Sequence, residues 1–511
     1  MTFPWLTTLV ALPAVGALLV ALVPAVRDRL AKQLALGVSL LVLAVTIGAA
    51  LQFSVGGPQF QLTEQYEWVG SLGFSWALGV DGVALALVAL TAVATPVVMV
   101  AMWHEAEDSG RSAKGFFALL LVLEAMTIGA FAAGDVLLFY ILFEAMLIPM
   151  YFLIGFYGGP QRRYAAVKFL LYNLFGGLLM LAAVIGLYVQ SVDAGQGTFL
   201  RADLVGLDIS EGVQGWLFLG FMIAFAIKAP LWPFHTWLPD AAAEATPSNA
   251  AFLSGVMDKV GTYGMIALVL PLFPDASRTF APVVVTLAVI SILYGALLAV
   301  AQTDLKRLIA YTSISHFGFI VMGIFALTSQ GGTGATLYMV NHGLSTIALF
   351  VIVGFMISRR RSRLVADYGG VQGPAPVLAG ALLVAGLSGL ALPGLATFVS
   401  EFLVLLGTFS QYRVAAVLGT AGIILAALYI LLMYQRTMTG PVRAETAAMP
   451  DLRGREVLAV APLFALLLVL GFFPQTVLDV IDDGVGATLA EVGVTDPEPL
   501  VPAQAAEGNQ P

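Results

Sequence analysis

The feature that most constrains this chain is a succession of apolar stretches, each about as long as a lipid bilayer is thick. A helix that crosses a bilayer needs about 20 mostly apolar residues. In hydrocarbon, only helices and closed barrels satisfy their own backbone groups. The sequence therefore predicts an all-α polytopic membrane protein with about fourteen transmembrane helices. We expect these spans at residues 3–23, 33–53, 80–103, 115–133, 135–157, 165–190, 214–239, 248–273, 280–303, 305–327, 333–357, 376–410, 412–435 and 456–473.

The composition supports a membrane protein and excludes some cofactors. Hydrophobic residues make up 59% of the chain and charged residues 11%, whereas soluble domains have roughly 25% charged residues. The absence of cysteine excludes disulfides and thiolate-held iron–sulfur clusters from this chain. The first apolar stretch has no basic leader, so we expect a span rather than a cleaved signal. We find no nucleotide-binding glycine motif and no nucleic-acid signature, and expect no nucleic-acid partner.

The lysines and arginines in the loops and at the ends of the predicted spans indicate how the chain is oriented. If Lys228 and Lys259 are set aside, 18 of the remaining 21 basic residues fall on one side and only Arg201, Arg278 and Arg413 on the other. Cytoplasmic loops carry an excess of basic residues. Both termini are therefore predicted on the non-cytoplasmic side of a bacterial plasma (inner) membrane.

Two segments outside the membrane have recognisable patterns. Residues 54–79 contain two aromatic, strand-like runs around Gly70 and Ser71, which predict a short external β-hairpin. Residues 474–511 lack lysine and arginine and are rich in proline, alanine and acidic residues. We expect a surface helix in the first half of this acidic tail and disorder at its end.

Two predicted spans carry prolines near their middle. Pro230 and Pro233 interrupt the seventh span, and Pro393 with Gly394 interrupts the twelfth. Proline removes a backbone donor and clashes with the preceding turn, so each helix should break there. Broken helices at corresponding positions of two halves are typical of transporters with inverted repeats. Ordinary proline kinks that aid packing are the alternative.

This pattern predicts five regions. Residues 1–113 hold the first three spans and the hairpin, and residues 436–473 hold the last span with its preceding loop. Between them lie two five-helix repeats, residues 114–273 with the broken helix 214–239, and residues 274–435 with the broken helix 376–410. The acidic tail, residues 474–511, completes the chain.

Four charged residues lie deep within predicted spans: Glu144, Lys228, Lys259 and Glu401. A charge at the bilayer centre costs at least ~2.5–3.5 kcal/mol, and such residues usually pair or line a path for ions or protons. Desolvation and an opposite charge act against each other on a buried lysine, which can then load and release a proton. A proton relay is the functional interpretation, and hydrogen-bonded structural carboxyls are the alternative.

Two further acids lie inside spans. Glu124 is in the middle of the fourth span, and Asp258 precedes Lys259 but points about 100° away from it around the helix. Each is a candidate accessory relay group. Glu124 is alternatively a buried structural carboxyl, and Asp258 is alternatively a charge that tunes its neighbour.

Three histidines complete the candidates. His316 and His342 lie in successive spans, and histidine titrates in a range that suits proton transfer. A packed, hydrogen-bonded histidine is the alternative. His235 lies among the breaks of the seventh span, as a structural residue or an accessory group at the rim of the path. The sequence offers no three ligands at metal spacing, so no metal site is predicted.

Two long motifs carry a resemblance to a known family. Residues 228–241 (KAPLWPFHTWLPDA) and 304–316 (DLKRLIAYTSISH) resemble the antiporter-like subunits of respiratory complex I, which Mrp-type cation/proton antiporters also resemble. Among the three paralogous subunits, residues 143–151 (FEAMLIPMY) and Glu401 resemble the M branch, since its relatives L and N typically carry lysine at the last site. The chain departs from the family pattern at Asp258 and at residues 245–248 (ATPS).

The resemblance implies roles for the buried groups. Glu144 would pair with Lys228, Lys259 would connect two half-channels, His316 and His342 would continue the path, and Glu401 would end it.

The resemblance also implies a translocase subunit of NADH:quinone oxidoreductase with no redox centre or cofactor in this chain. NADH, FMN, iron–sulfur clusters and quinone would belong to partner subunits. The expected partners are the other membrane-arm subunits, including two paralogous antiporter-like subunits, together with lipids and protons. The alternatives are a subunit of an Mrp-type Na⁺/H⁺ antiporter or of a related membrane-bound hydrogenase, and a structural membrane scaffold.

Overall fold

The computed structural model describes residues 3–24, 27–101, 103–108 and 110–497. Within these residues, 13 helices are long and apolar enough to cross a membrane. Two shorter apolar helices, Pro376–Gly389 and Ala396–Gln411, together supply one more crossing. The predicted all-α membrane fold is confirmed, and the number of crossings agrees with the predicted fourteen.

The helices follow the predicted order. Those before the first predicted repeat are α1 (Trp5–Leu22), α2 (Asp28–Gln52), α3 (Gly82–Ala101) and the short α4 (Glu105–Asp108). The next group is α5 (Ala113–Ala132), α6 (Val136–Ala145), α7 (Leu147–Tyr157), α8 (Arg162–Asp193), α9 (Arg201–Leu204), α10 (Glu211–Lys228), α11 (Trp237–Glu244), α12 (Pro247–Phe252), α13 (Lys259–Gly264) and α14 (Leu270–Leu272). The last group is α15 (Pro274–Val300), α16 (Leu305–Phe325), α17 (Ser329–Arg360), α18 (Pro376–Gly389), α19 (Ala396–Gln411), α20 (Arg413–Met438), α21 (Arg455–Phe472) and α22 (Gln475–Val492).

A β-hairpin lies between α2 and α3, where the aromatic runs predict it. Strand β1 (Gln61–Val69) pairs antiparallel with β2 (Phe74–Val80) across a 3-10 turn. Asp135 joins this hairpin to the bundle. Its carboxylate accepts hydrogen bonds from Leu137 N at 2.9 Å, Leu138 N at 3.0 Å and Ser75 N at 3.1 Å, so one side chain caps α6 and holds β2.

Both predicted helix breaks are present. Helix α10 ends at Lys228, and regular α-helix resumes only at Trp237. The Trp237 indole donates to the Ile227 carbonyl at 2.9 Å, and Trp232 N donates to Ser291 Oγ at 2.7 Å. These bonds satisfy backbone groups that the break frees, as a membrane interior requires.

The second break separates α18, which ends at Gly389, from α19, which begins at Ala396. Gly394 adopts φ +93°, a conformation that disfavours side chains with a Cβ. The Thr397 hydroxyl donates to the Ser388 carbonyl across this gap. The broken helix is thus the fourth crossing of each predicted five-helix repeat, although the limits of the repeats stay a prediction.

The structure adds a third interruption, next to Glu144. Helices α6 and α7 meet at Met146, within one predicted span. Pro149 has no N–H to bond the Ala145 carbonyl four residues earlier, and its ring crowds that carbonyl. The proline therefore explains why the helix is interrupted beside Glu144, which is half-buried in the structure.

The crossing that carries Lys259 is irregular on both sides of the lysine. Two π-helical turns, Leu253–Met257 and Met265–Val269, flank the short α13. Each such turn inserts a residue into the helical repeat, and π-bulges are frequent at functional sites. The whole crossing, Pro247–Leu272, is buried inside the bundle, whereas only about a third or less of α2, α20 and α21 is buried.

Helix α22 lies against the end of the bundle that carries the hairpin. Asp482 accepts a hydrogen bond from the Thr333 hydroxyl at 2.8 Å, and Glu491 forms an ion pair with Arg201 at 3.2 Å. The expected helix in the first half of the acidic tail is therefore present, with one face buried. The end of the tail, predicted to be disordered, is residues 497–511, and all of it beyond Pro497 lies outside the described residues.

Candidate functional site

The site is centred on Lys259, a fully buried lysine in the middle of the bundle. Its Nζ lies 2.8 Å from His342 Nδ1 on α17 and donates to the Ser254 carbonyl on its own helix. The same ammonium lies 4.9 Å from the ring centroid of Phe317 on α16. Two neighbouring helices thus contribute an imidazole and an aromatic face to one buried cation.

The two histidines continue from this lysine. The rings of His342 and His316 lie 5.2 Å apart between centroids. His316 Nδ1 is hydrogen-bonded to the Tyr338 hydroxyl, and its Nε2 lies 3.3 Å from the Tyr429 hydroxyl. The structure therefore brings both predicted histidines into one cluster with the central lysine.

Two tyrosines that the sequence analysis did not identify, Tyr338 and Tyr429, have their hydroxyl groups at His316 and are electrostatic neighbours of Glu401. Glu401 is buried in α19, beyond the second break. Its carboxylate interacts electrostatically with both tyrosine hydroxyls. Tyr338 lies four residues before His342 on α17, and this spacing, which places both on one face, is a signal that could have found it.

Glu144 and Lys228 lie at the other end of the site without direct contact. The Lys228 ammonium is fully buried, and Nζ has no hydrogen-bond partner within the described part of the chain. It lies 4.8 Å from the ring centroid of Phe143, the residue next to Glu144. Lys228 interacts electrostatically with Glu144 and with Asp258. The structure therefore shows no hydrogen-bonded ion pair between Lys228 and Glu144, and the pairing that the resemblance implies stays a prediction.

A glycine makes room for the Glu144 carboxylate. A Cβ at Gly177 on α8 would overlap Glu144 Oε1 and lie 2.8 Å from Oε2. Any larger residue at this position would displace the acid.

The other two candidate accessory groups lie apart from this chain of contacts. Glu124 is fully buried in α5. Neither of its oxygens has a hydrogen bond of good geometry within the described residues, and the Thr95 hydroxyl is a polar neighbour. His235 packs edge-on against Tyr294 with 5.1 Å between ring centroids. The structure gives neither of them a contact with Lys259 or the paired histidines.

A cavity of about 690 Å³ opens on the basic side of the bundle. Its wall includes Glu105, Glu244, Lys306 and Arg363. Glu105 accepts hydrogen bonds from Ser248 N, at 3.1 Å, and from the Ser248 hydroxyl. Burial raises the pKa of Glu105 to about 7, and the Ser248 bonds oppose this rise. The Lys306 ammonium donates to the Ala245 carbonyl at 2.6 Å. The cavity thus reaches the start of the crossing that carries Lys259.

Several buried polar atoms in the central region have no protein hydrogen-bond partner among the described residues. They are Lys228 Nζ, Glu144 Oε1, both Asp258 carboxylate oxygens, Ser254 Oγ and His342 Nε2. Burial of such groups is costly unless they are hydrogen-bonded, and ordered water usually supplies the bonds that protein does not. The arrangement of titratable groups is thus suited to proton transfer through hydrated contacts. Among all the residues that the structure describes, no three His, Cys, Asp or Glu side chains are grouped closely enough to hold a metal ion.

Comparison with known proteins places this architecture in a family. Residues 133–428, more than half of the chain, match the family model described as "NADH:quinone oxidoreductase/Mrp antiporter, TM". NADH-quinone oxidoreductase subunit M of Mycobacterium tuberculosis (strain CDC 1551 / Oshkosh) is 52% identical, covering 98% of this chain and 96% of that protein. Subunit M of Rickettsia prowazekii is 39% identical over an alignment that covers 89% of this chain and 91% of that protein.

Solved structures have the same fold. A chain of respiratory complex I from Thermus thermophilus superposes with a TM-score of 0.87 at 31% identity, covering 96% of this chain and all of that one. A chain of the Mrp complex from Dietzia sp. has a TM-score of 0.83 at 22% identity, a likeness of fold alone. The chain therefore belongs to the NADH:quinone oxidoreductase/Mrp antiporter family, within its NADH-quinone oxidoreductase subunit M branch.

Proposed function

We propose that this chain moves protons across a membrane through its buried charged groups, as a membrane-arm subunit of NADH:quinone oxidoreductase. The proposed relay consists of Glu144, Lys228, Lys259, His316, His342 and Glu401. The observation that carries the proposal is the continuous set of buried contacts from Lys259 through both histidines to the tyrosines beside Glu401. A protein that only anchored other subunits would have no need to desolvate these groups.

The driving energy would come from other subunits. This chain has no cysteine to hold an iron–sulfur cluster. We infer that NADH, FMN, iron–sulfur clusters and quinone are handled by partner subunits, and that this chain has no redox centre. Partners would include two paralogous antiporter-like subunits and the surrounding lipids. A redox step elsewhere would change the charge or hydration of the relay.

The direction of transport follows from the proposed orientation. The basic side would face the bacterial cytoplasm, with both chain termini on the opposite side of the plasma membrane. The cavity at Glu105 would then open toward the cytoplasm, where protons enter, and protons would leave on the side of the hairpin and α22.

The proposal is tested with Lys228→Ala and Glu144→Ala in the assembled complex. In inverted membrane vesicles, NADH-driven acidification should fall strongly in both variants, while native gels show normal amounts of complex. The matched control is Lys114→Ala, because Lys114 is a lysine near a helix start that bonds only the Ala21 and Val23 carbonyls among the described residues. Normal acidification in either relay variant would defeat the proposal.

The same vesicles separate the alternatives. A subunit of an Mrp-type antiporter would build a sodium-dependent pH gradient without NADH. A structural scaffold would keep its coupling when any of the buried charges is neutralised. We favour the complex I assignment because the 52% identity to a subunit M extends over 98% of the chain.

A further inference from the structure

Asp258 is a buried acid in the central crossing that the contacts described so far leave without a task. Its side chain is fully buried, and neither carboxylate oxygen has a hydrogen-bond partner within the described residues. The residue follows the π-helical turn Leu253–Met257, and its own N–H bonds Leu253 O at 3.0 Å. An unpaired buried carboxylate is costly, so its position calls for a physical reason.

The side chain of Asp258 lies on the helix face that contacts α10. Asp258 and Gly261 are three residues apart and therefore share a face. A Cβ added at Gly261 would lie 2.9 Å from both Phe225 O and Ala229 N. This face is therefore packed against the backbone at the end of α10, where Lys228 is the last helical residue.

Lys259 is the next residue and points about 100° away around the helix. That direction is toward α17, where its ammonium meets His342 Nδ1. Asp258 interacts electrostatically with Lys259 on its own helix and with Lys228 on α10. The acid is thus an electrostatic neighbour of both buried lysines, and its helix packs against the end of α10 on one face and directs Lys259 toward α17 on another.

We propose that Asp258 is a relay group that carries the proton between Lys228 and Lys259. In the first step an N–H bond of the Lys228 ammonium breaks and an O–H bond forms on the Asp258 carboxylate, directly or through a bridging water. The products are a neutral amine and a neutral carboxylic acid. Before the second step an N–H bond of the Lys259 ammonium breaks and an N–H bond forms on His342 Nδ1, 2.8 Å away. In the second step the O–H bond of Asp258 breaks, an N–H bond forms on the now neutral Lys259 amine, and Asp258 is again a carboxylate. No electrons are transferred.

The placement of a carboxylate, Asp258, between a donor ammonium and an acceptor amine in the proposed sequence favours this route in a low-dielectric interior. Transfer from an ammonium to a carboxylate neutralises both groups, so the intermediate contains no separated charges from this pair. Direct transfer between two lysines would have to cross the gap without an acceptor between them. The inference rests on the proposed function, because it assigns an intermediate within the same relay.

The test compares Asp258→Asn with Asp258→Glu in the complete complex. Asparagine keeps the shape and hydrogen-bonding capacity of the side chain but cannot carry the added proton, whereas glutamate keeps the titratable group at a changed length. We expect Asp258→Asn to lower NADH-driven proton uptake into inverted vesicles by about tenfold or more, and Asp258→Glu to recover at least half of the wild-type rate. A structural role would give the opposite order, because the longer side chain disturbs packing more.

Controls separate this inference from the proposed function. Thr127→Val removes another buried polar group, one whose hydroxyl bonds only the Leu123 carbonyl of its own helix among the described residues, and should pump normally. If Asp258→Asn does not assemble, Asp258→Ser makes the same test with a smaller neutral side chain.

The outcomes are distinguishable. If Lys228→Ala abolishes pumping but the neutral Asp258 variants pump normally, or Asp258→Glu is no better than Asp258→Asn, the assignment of Asp258 is overturned and the wider relay stands. If Lys228→Ala pumps normally as well, the proposed function itself fails.

Discussion

Gly261 offers a direct test of how closely the two lysine-bearing helices must approach. A Cβ at this position would lie 2.9 Å from Phe225 O and Ala229 N and 3.0 Å from Ala229 Cβ. Ordinary contact begins at 3.4 Å, so Gly261→Ala requires a separation of 3.4 − 2.9 = 0.5 Å. The two nearest of these atoms, Phe225 O and Ala229 N, belong to the backbone, which cannot rotate aside as a long side chain can. Helix α13 must therefore move away from the end of α10.

The expected cost follows from two opposing effects. Overpacking of a filled interior typically destabilises by about 1–3 kcal/mol. Alanine is better than glycine inside a helix by roughly 1 kcal/mol. The net effect of Gly261→Ala is a loss of up to about 2 kcal/mol in the free energy of unfolding. The helix displacement changes the separation of the segments that carry Lys228 and Lys259. Because misplacement of reacting groups by an ångström can cost about 100-fold in rate, we expect pumping to suffer more than assembly.

The measurements are the thermal denaturation midpoint of the purified complex and the NADH-driven proton uptake of vesicles. Gly486→Ala is the matched control, since Gly486 lies inside α22 with nothing within 4 Å of an added Cβ. In Gly486→Ala only the higher helix propensity of alanine acts. The thermal denaturation midpoint should therefore be unchanged or higher, and proton pumping should be unchanged. If Gly261→Ala behaved like Gly486→Ala in both measurements, the argument from close helix packing would be wrong.

Two further predictions concern the tyrosines and the basic-side cavity. Tyr338→Phe should reduce proton uptake more than Tyr429→Phe in the same vesicle assay, because the Tyr338 hydroxyl makes the shorter bond to His316 and the Tyr429 hydroxyl lies 3.3 Å away; equal effects would contradict this order. The pKa of Glu105 is about 7 in the folded protein, above its ordinary value of 4.5. Between pH 4.5 and pH 7 the folded protein therefore binds more protons than the unfolded protein. Its free energy of unfolding falls as the pH rises through that range. Glu105→Gln should remove this part of the decline in thermal midpoint between pH 4.5 and pH 7, and an unchanged pH profile would refute the assignment.

The sequence was sufficient for features that depend on hydropathy and on proline. The membrane crossings were predictable because the length of an apolar stretch is read directly from the sequence. The helix breaks at Pro230 and Pro393 were predictable because proline cannot complete a helical hydrogen-bond pattern. The interruption at Met146 was equally accessible through Pro149, which the same rule covers. Sequence periodicity did not reveal the π-helical turns around Lys259, because tertiary packing rather than local residue preference selects them.

The site was predictable only where the residues are unusual for a membrane. Buried acids, lysines and histidines are conspicuous in an apolar span, so all six proposed relay positions were identified, and their roles stay predictions. Tyr338 and Tyr429 were missed because tyrosine is an ordinary residue in such spans, and only the fold brings their hydroxyl groups to His316. Distances between helices were also inaccessible, so the ring of Phe143 near the Lys228 ammonium could not have been foreseen.

The position of that ring bears on how Lys228 could switch. A buried ion pair in close contact is strongly held, because separating the charges or removing one of them leaves an uncompensated ion in a low dielectric. Attraction between an ammonium and an aromatic face is weaker, about 0.5–2 kcal/mol. Lys228 meets the face of Phe143 at 4.8 Å and has no hydrogen-bond partner in the described part of the chain. A lysine held in this way feels the charges of Glu144 and Asp258 without being fixed to either. Small changes in those charges or in local hydration can then decide whether it keeps its proton, which is the property that a relay requires.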